Sequence, residues 1–204
     1  MSVSLQKGQK VDLTKGNASL KRVMVGLGWD EAESTKPSGG ILGGLLGGNK
    51  NNSIDCDASV FLCSSNGKLS GKNDVVYFGN LKHSSGSVTH MGDNLTGDGD
   101  GDDEQILVEL SSVPQQIEKL IFVVNIYKCK EKKQHFGMIK NAFIRMVDAD
   151  TNKELCKYNL SENYDQMTAM IFGEIYRYQG EWKFNAIGQA TNDPGLGELA
   201  SKYS

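Results

Sequence analysis

No hydrophobic run in this 204-residue sequence approaches the roughly 20 residues that a bilayer-crossing helix needs. The opening residues, MSVSLQKGQKVDL, lack the basic-then-apolar pattern of a signal peptide, so the reading is a cytoplasmic chain with no transmembrane segment. A large excess of either charge is missing too, with 22 Lys and Arg against 25 Asp and Glu. A formal net charge of −3 and a pI near 5.7 argue against nucleic acid as an obligatory partner. Cys56, Cys63, Cys129 and Cys156 show no CxxC spacing and are expected to be reduced core residues. Histidine is scarce: none of His83, His90 and His135 is spaced from another as a ligand pair. A lone histidine beside a turn reads as a surface hydrogen-bonding residue, and no serine or cysteine with a neighbouring base is visible. The expectation is a protein that is not an enzyme.

What is present is oxygen. The stretch GDNLTGDGDGDDE, Gly92 to Glu104, holds the carboxylates of Asp93, Asp98, Asp100, Asp102, Asp103 and Glu104 with Asn94 and four glycines, and contains no basic residue. Two unit charges about 7 Å apart in water repel by roughly 0.6 kcal/mol, so holding such a loop compact calls for a counter-ion. The glycines allow tight turns that aim carbonyls inward. An all-oxygen set without thiolate or imidazole suits a hard cation, calcium before magnesium. The plain alternative is an acidic, solvated surface loop. Strands expected on both sides pin its ends and favour the metal.

An EF-hand half fits. Asp98, Asp100 and Asp102 fall at loop positions 1, 3 and 5, and Glu109 falls at position 12. Position 6 is Asp103 instead of glycine, and ILVEL (106–110) reads as a strand where a helix should leave the loop. A calcium β-roll is excluded because the GDGDGDD turn does not repeat.

Along the chain, VSL and VDL (3–5 and 11–13) read as short strands. KRVMVGLGWD (21–30) reads as a strand whose Gly26 and Gly28 suggest a close backbone approach, with Asp30 as a helper ligand or a turn residue. Residues 36–53, KPSGGILGGLLGGNKNNS, form a flexible glycine-rich insertion. IDCDASVFLC (54–63) is the clearest strand: Ile54, Cys56, Ala58, Val60 and Leu62 share one face, and Asp55, Asp57 and Ser59 the other. Two aspartates side by side are either a solvated face or further ligands. VVYF (75–78) is a short strand and HSSGSVTHMGDN a polar connection. KLIFVVNIY (119–127) is apolar on both faces and therefore central. NAFIRMVDADTNKELCKYNL is a hairpin turning at residues 150–152, and TAMIFGEIYRY with EWKFNAIG another, turning at Gln179-Gly180. A short helix follows Pro194. Residues 1–204 are expected to be a single all-β domain, a two-sheet antiparallel β-sandwich with a short C-terminal helix.

GLGWD, DCDASVFL, VTHMGDNLTGDGDGDDE, IFVVNIY and GEIYRYQGEWKFNAIGQ, in this order, resemble the TerD-like tellurium-resistance and stress-response family over nearly the whole chain. The chain departs from the family in its longer insertion at 36–53 and in Cys56, where an aliphatic residue is usual. The resemblance implies a calcium-binding β-sandwich carrying two ions. It implies a role in resistance to tellurite and to other chemical, phage or envelope stress. It also implies partners among other tellurium-resistance proteins, including a membrane-embedded one at the inner membrane face, with no nucleic acid, and a cytoplasmic location that extends to the periphery of that inner face. Carried over by position, the ligands are Asp55, Asp57, Asp93, Asn94, Asp102, Asp103 and Glu104, to which the acidic loop itself adds Asp98 and Asp100. Two functions compete: a calcium-dependent binding or scaffold module, and a metal-dependent phosphoesterase-type hydrolase prompted by His90-Met91-Gly92-Asp93-Asn94.

Overall fold

The computed structural model describes residues 2–31, 54–92 and 101–204. The glycine-rich insertion and the candidate ligands Asp93, Asn94, Asp98 and Asp100 therefore lie outside the described residues. The strands are β1 (Val3–Leu5), β2 (Lys10–Asp12), β3 (Arg22–Glu31), β4 (Cys56–Cys63), β5 (Val75–Val76), β6 (Val88–His90) and β7 (Glu104–Glu109). They continue with β8 (Lys119–Ile126), β9 (Ile139–Asp148), β10 (Lys153–Asn159), β11 (Ala169–Tyr178) and β12 (Glu181–Thr191). Two short helices, α1 (Cys129–Lys132) and α2 (Leu196–Ser201), accompany them. One sheet runs β1-β10-β9-β3-β7-β6 and the other β2-β12-β11-β8-β4-β5.

Alternation builds the core. Val23, Val25 and Leu27 of β3 and Ile144 of β9 belong to one buried cluster with Ala58, Val60 and Leu62 of β4 and Phe122 and Val124 of β8. β8 sits between β11 and β4 and is buried on both faces, as its sequence predicts. Its second face joins Phe61, Cys63 and Ile171 beneath Leu199 of α2. The hairpin turn of β11–β12 uses left-handed Gln179 and Gly180, with φ of 54° and 81°.

The expected two-sheet antiparallel sandwich with a short C-terminal helix is borne out, with one parallel pair among its strands, β1 with β10. Two further readings are corrected. The polar connection before the acidic stretch contains β6, which pairs with β7 across Val88↔Val108. The aspartate-bearing face of β4 is not a solvated one: all eight residues of β4 are buried.

Candidate functional site

The acidic stretch enters the fold where β7 begins beside β3. Their ladder ends at Leu27↔Glu104, and β3 carries an irregularity between Gly28 and Asp30. Asp103 closes the end twice. Its backbone N–H donates to Leu27 O at 2.8 Å, and its Oδ2 accepts the Trp29 N–H at 2.6 Å. Asp30 stays on the strand and accepts Asn141 Nδ2 at 2.8 Å.

Asp102 lies against β3 where that strand has no side chain. A Cβ on Gly26 would meet the Asp102 carboxylate at 2.2 Å, and one on Gly28 would meet the Phe143 ring at 2.4 Å and Gly101 O at 2.8 Å. The close approach expected at these glycines is thus made by the acidic stretch and β9. Both Asp102 oxygens serve Arg145 of β9, from Nε at 2.6 Å and Nη2 at 3.0 Å, and Gln105 Nε2 adds 3.0 Å. The hydrogen bonds that it donates to Asp102 hold the Arg145 guanidinium more firmly charged than usual. The stretch has no basic residue of its own, but the fold supplies one to Asp102. Arg145 was not legible from its own neighbours, because it sits 43 residues away in sequence.

Glu104 points between the sheets. Its Oε2 accepts the Ala58 N–H at 2.7 Å and lies 3.2 Å from His90 Nε2, which is also 3.2 Å from Ala58 O. His90 Nδ1 accepts the Gly92 N–H, so Nε2 carries the proton. His90 is 2% exposed, which corrects the surface reading: it is part of a stitch from β6 and β7 to β4. Glu109 ends β7 and no helix leaves the loop, in keeping with the rejection of an EF-hand. Glu109→Gln is therefore expected to bind calcium as tightly as the parent in a calorimetric titration. A tenfold loss would mean the loop is misassigned.

Asp57 is 5% exposed and pairs in register with Asn125 of β8, itself 5% exposed. Asn125 Oδ1 and Ser59 Oγ are buried without a hydrogen-bond partner among the described residues. Such orphaned oxygens are costly unless a ligand meets them. Asn125 lies inside an apolar run, where a single amide gives no local signal. Asp55, at the entry to β4, forms an ion pair with Lys132 Nζ at 3.7 Å. Burial first, then the charges of Asp57, Glu104, Asp55 and Asp103, push the Cys56 thiol well above its ordinary range, so these four carboxylates share its neighbourhood. Among the described residues no three His, Cys, Asp or Glu side chains form a ready-made chelating group.

The other histidines are separate. His83 Nε2 lies 3.2 Å from Asp74 Oδ1 and its Nδ1 2.7 Å from Ser85 Oγ, so a serine does stand beside a base, contrary to the sequence reading. Ser85 N–H also donates to that Nδ1, at 3.2 Å, and Ser85 Oγ meets Ser87 Oγ at 2.7 Å, so the group braces its own turn. His135 pairs with Asp165 at 3.2 Å. A polar groove of about 500 Å³, lined by Trp29, Asp30, Gly101, Asn141, Phe143 and Lys157 among others, includes none of the histidines.

The sequence profile of the TerD domain matches residues 1–203. The chain is 56% identical over 203 residues to "Stress response protein SCP2" of Bacillus subtilis (strain 168), covering 100% of both chains. It is 46% identical to "Tellurium resistance protein TerD" of Serratia marcescens, covering 100% of this chain and 97% of that one. The crystal structure of a homologue of telluride resistance protein (TerD) from Streptomyces coelicolor A3(2) superposes with a TM-score of 0.60 at 20% identity, covering 85% of this chain and 92% of that chain.

Proposed function

Because the chain belongs to the TerD family of tellurium-resistance and stress-response proteins, we propose that it is a calcium-binding module that presents a surface to partners and does not catalyse a reaction. The observation that carries this reading is the buried, oxygen-only set at the start of β4. It comprises Asp57, Ser59 Oγ and Asn125 Oδ1, with Asp55 at its edge and Asp103 and Glu104 near by. Hard oxygen donors fit calcium. Asp57 and Asn125 would hold the ion, and the sequence assigns the further ligands to Asp93, Asn94, Asp98 and Asp100. Asp103 and Glu104 each spend one oxygen on the backbone of β3 or β4, so they tie the acidic stretch to both sheets. A bound cation supplies charge neutralisation to that cluster. The chain's own residues supply the rigid frame that turns neutralisation into an ordered surface.

The hydrolase alternative lacks support, since the three histidines serve three separate carboxylates. Direct thiol chemistry on tellurium is also disfavoured. All four cysteines are free and buried, and burial pushes Cys63 and Cys156 up to about 12. The native protein should therefore resist iodoacetamide at neutral pH, whereas urea-unfolded protein is alkylated four times, as intact mass will show. Rapid native alkylation would reopen a thiol mechanism.

The test of the proposed function is capture of partners from the host with and without chelator, using the parent and Asp57→Asn. Partners retained only with calcium by the parent, and lost from the variant together with stress resistance, support the reading. A variant that binds no calcium yet keeps every partner and full resistance reduces the ion to a structural role. Turnover of phosphoesters by purified protein with Mn²⁺ or Mg²⁺ would replace the reading with the enzyme.

A further inference from the structure

The sheet end that carries Asp55 also carries a lysine-rich segment. After β8 the chain runs Tyr-Lys-Cys-Lys-Glu-Lys-Lys from Tyr127 to Lys133, four lysines against Glu131 alone. Tyr127 N–H donates to Asp55 O at 2.7 Å, which fixes the start of the segment to β4. Cys129 is buried and its Sγ donates to Pro194 O at 3.4 Å. Gln134 N–H returns to Cys129 O at 2.9 Å. With Cys129 turned inward, Lys128, Lys130 and Lys133 are exposed and Lys132 is half-buried.

Two observations set this segment apart from an ordinary solvated turn. Lys128 and Lys133, the residues flanking α1, both adopt left-handed backbone, at φ of 53° and 54°. Glycine adopts that conformation without steric penalty, so each position carries a charged side chain in spite of the backbone. Tyr127 is a large exposed aromatic, 41% accessible, and its ring faces Lys128 Nζ at 5.3 Å and Lys132 Nζ at 5.8 Å. A ring with an apolar body and a polar tip, surrounded by ammonium groups on flexible stems, suits an interface between hydrocarbon and anionic headgroups.

We infer that Tyr127, Lys128, Lys130 and Lys133 form a docking surface for an anionic lipid bilayer. Lysines act as point charges that match mobile, diffuse headgroup charge, whereas recognition of one fixed carboxylate or phosphate favours the bidentate fork of arginine, and this segment contains no arginine. Lys132 is held back by Asp55 at the entry to β4, so a residue at the edge of the proposed cation cluster also tunes the patch. The surface can be tested without the ion.

The experiment is co-sedimentation of the full chain, in chelator, with vesicles of phosphatidylglycerol and phosphatidylcholine and with vesicles of phosphatidylcholine alone. Binding to the anionic vesicles only, weakened by salt, is expected. Each exposed lysine contributes about fivefold to partitioning, so Lys128→Gln/Lys130→Gln/Lys133→Gln should lose about a hundredfold. Should that variant fail to fold by circular dichroism, Lys130→Gln alone should lose about fivefold. Asp55→Asn frees Lys132 and should strengthen binding about fivefold in chelator. Equal binding to both vesicle types, no binding to either, or a folded lysine variant that binds as the parent would overturn the inference. Binding to polyglutamate but not to anionic vesicles would overturn it in favour of an acidic protein partner.

Discussion

In saturating calcium the parent protein should melt well above its melting point in chelator, and Asp57→Asn should not. At a hundredfold excess over Kd, a ligand that binds only the folded state adds roughly 2.7 kcal/mol. For a chain of this size that is roughly 5–10 °C in Tm. The substitution keeps the shape of a side chain that is 5% exposed and removes its charge. In chelator, Asp57→Asn should therefore be as stable as the parent or more so, since a formal charge is removed from a buried position. The opposite signs in the two buffers separate loss of an ion from damage to the fold. Differential scanning calorimetry of both proteins reads the effect. Superimposable parent melts with and without calcium would remove the shared-ion idea.

The second large effect concerns Asp102 and needs no metal. Its side chain is 2% exposed, Arg145 is 31% exposed, and the two meet through a pair of hydrogen bonds. Breaking a fully buried pair by deleting one partner costs about 3–5 kcal/mol. Here Arg145 reaches water and keeps Glu154 at 3.4 Å, so about 2 kcal/mol is expected for Asp102→Ala. Gly26→Ala should cost a similar amount, about 2 kcal/mol, because the new methyl occupies the place of the carboxylate. Both changes break the same pair, so the double variant should be clearly less destabilised than the sum. Urea unfolding of the two singles and the double checks this. Strict additivity would show that Gly26 matters for some reason other than Asp102.

These two effects mark the boundary between what the sequence discloses and what it conceals. Alternation in β3, β4, β9, β11 and β12 is local, as are the unbroken apolar run of β8 and the turn residues, which is why the strands and both hairpins were legible. β6 is three residues long in a serine-rich stretch, and its strand character comes from β7 alongside it. The buried second face of β4 depends on α2, whose Leu199 closes the cluster around Phe61 from the far end of the chain. At the candidate site the acidic character of residues 55–57 and 102–104 is plain in sequence, but the division of labour is not. Asp102 serves Arg145, Asp103 caps Trp29, and Glu104 stitches β4 through Ala58. Each of these depends on a partner at least 43 residues away. Asn125 was hidden for a different reason, since one amide in an apolar strand gives no signal until register places it opposite Asp57.

The central claim is that calcium is taken up at the oxygen cluster where β4 meets β8 and the acidic stretch. Titration of calcium into isotopically labelled protein, followed through its backbone amide resonances, addresses it directly. Saturable shifts are expected at Asp55, Asp57, Ser59, Asp103, Glu104 and Asn125, with Glu109 unmoved. Resonances of these residues that stay in place at millimolar calcium, or shifts confined to the surface far from β4, would contradict it.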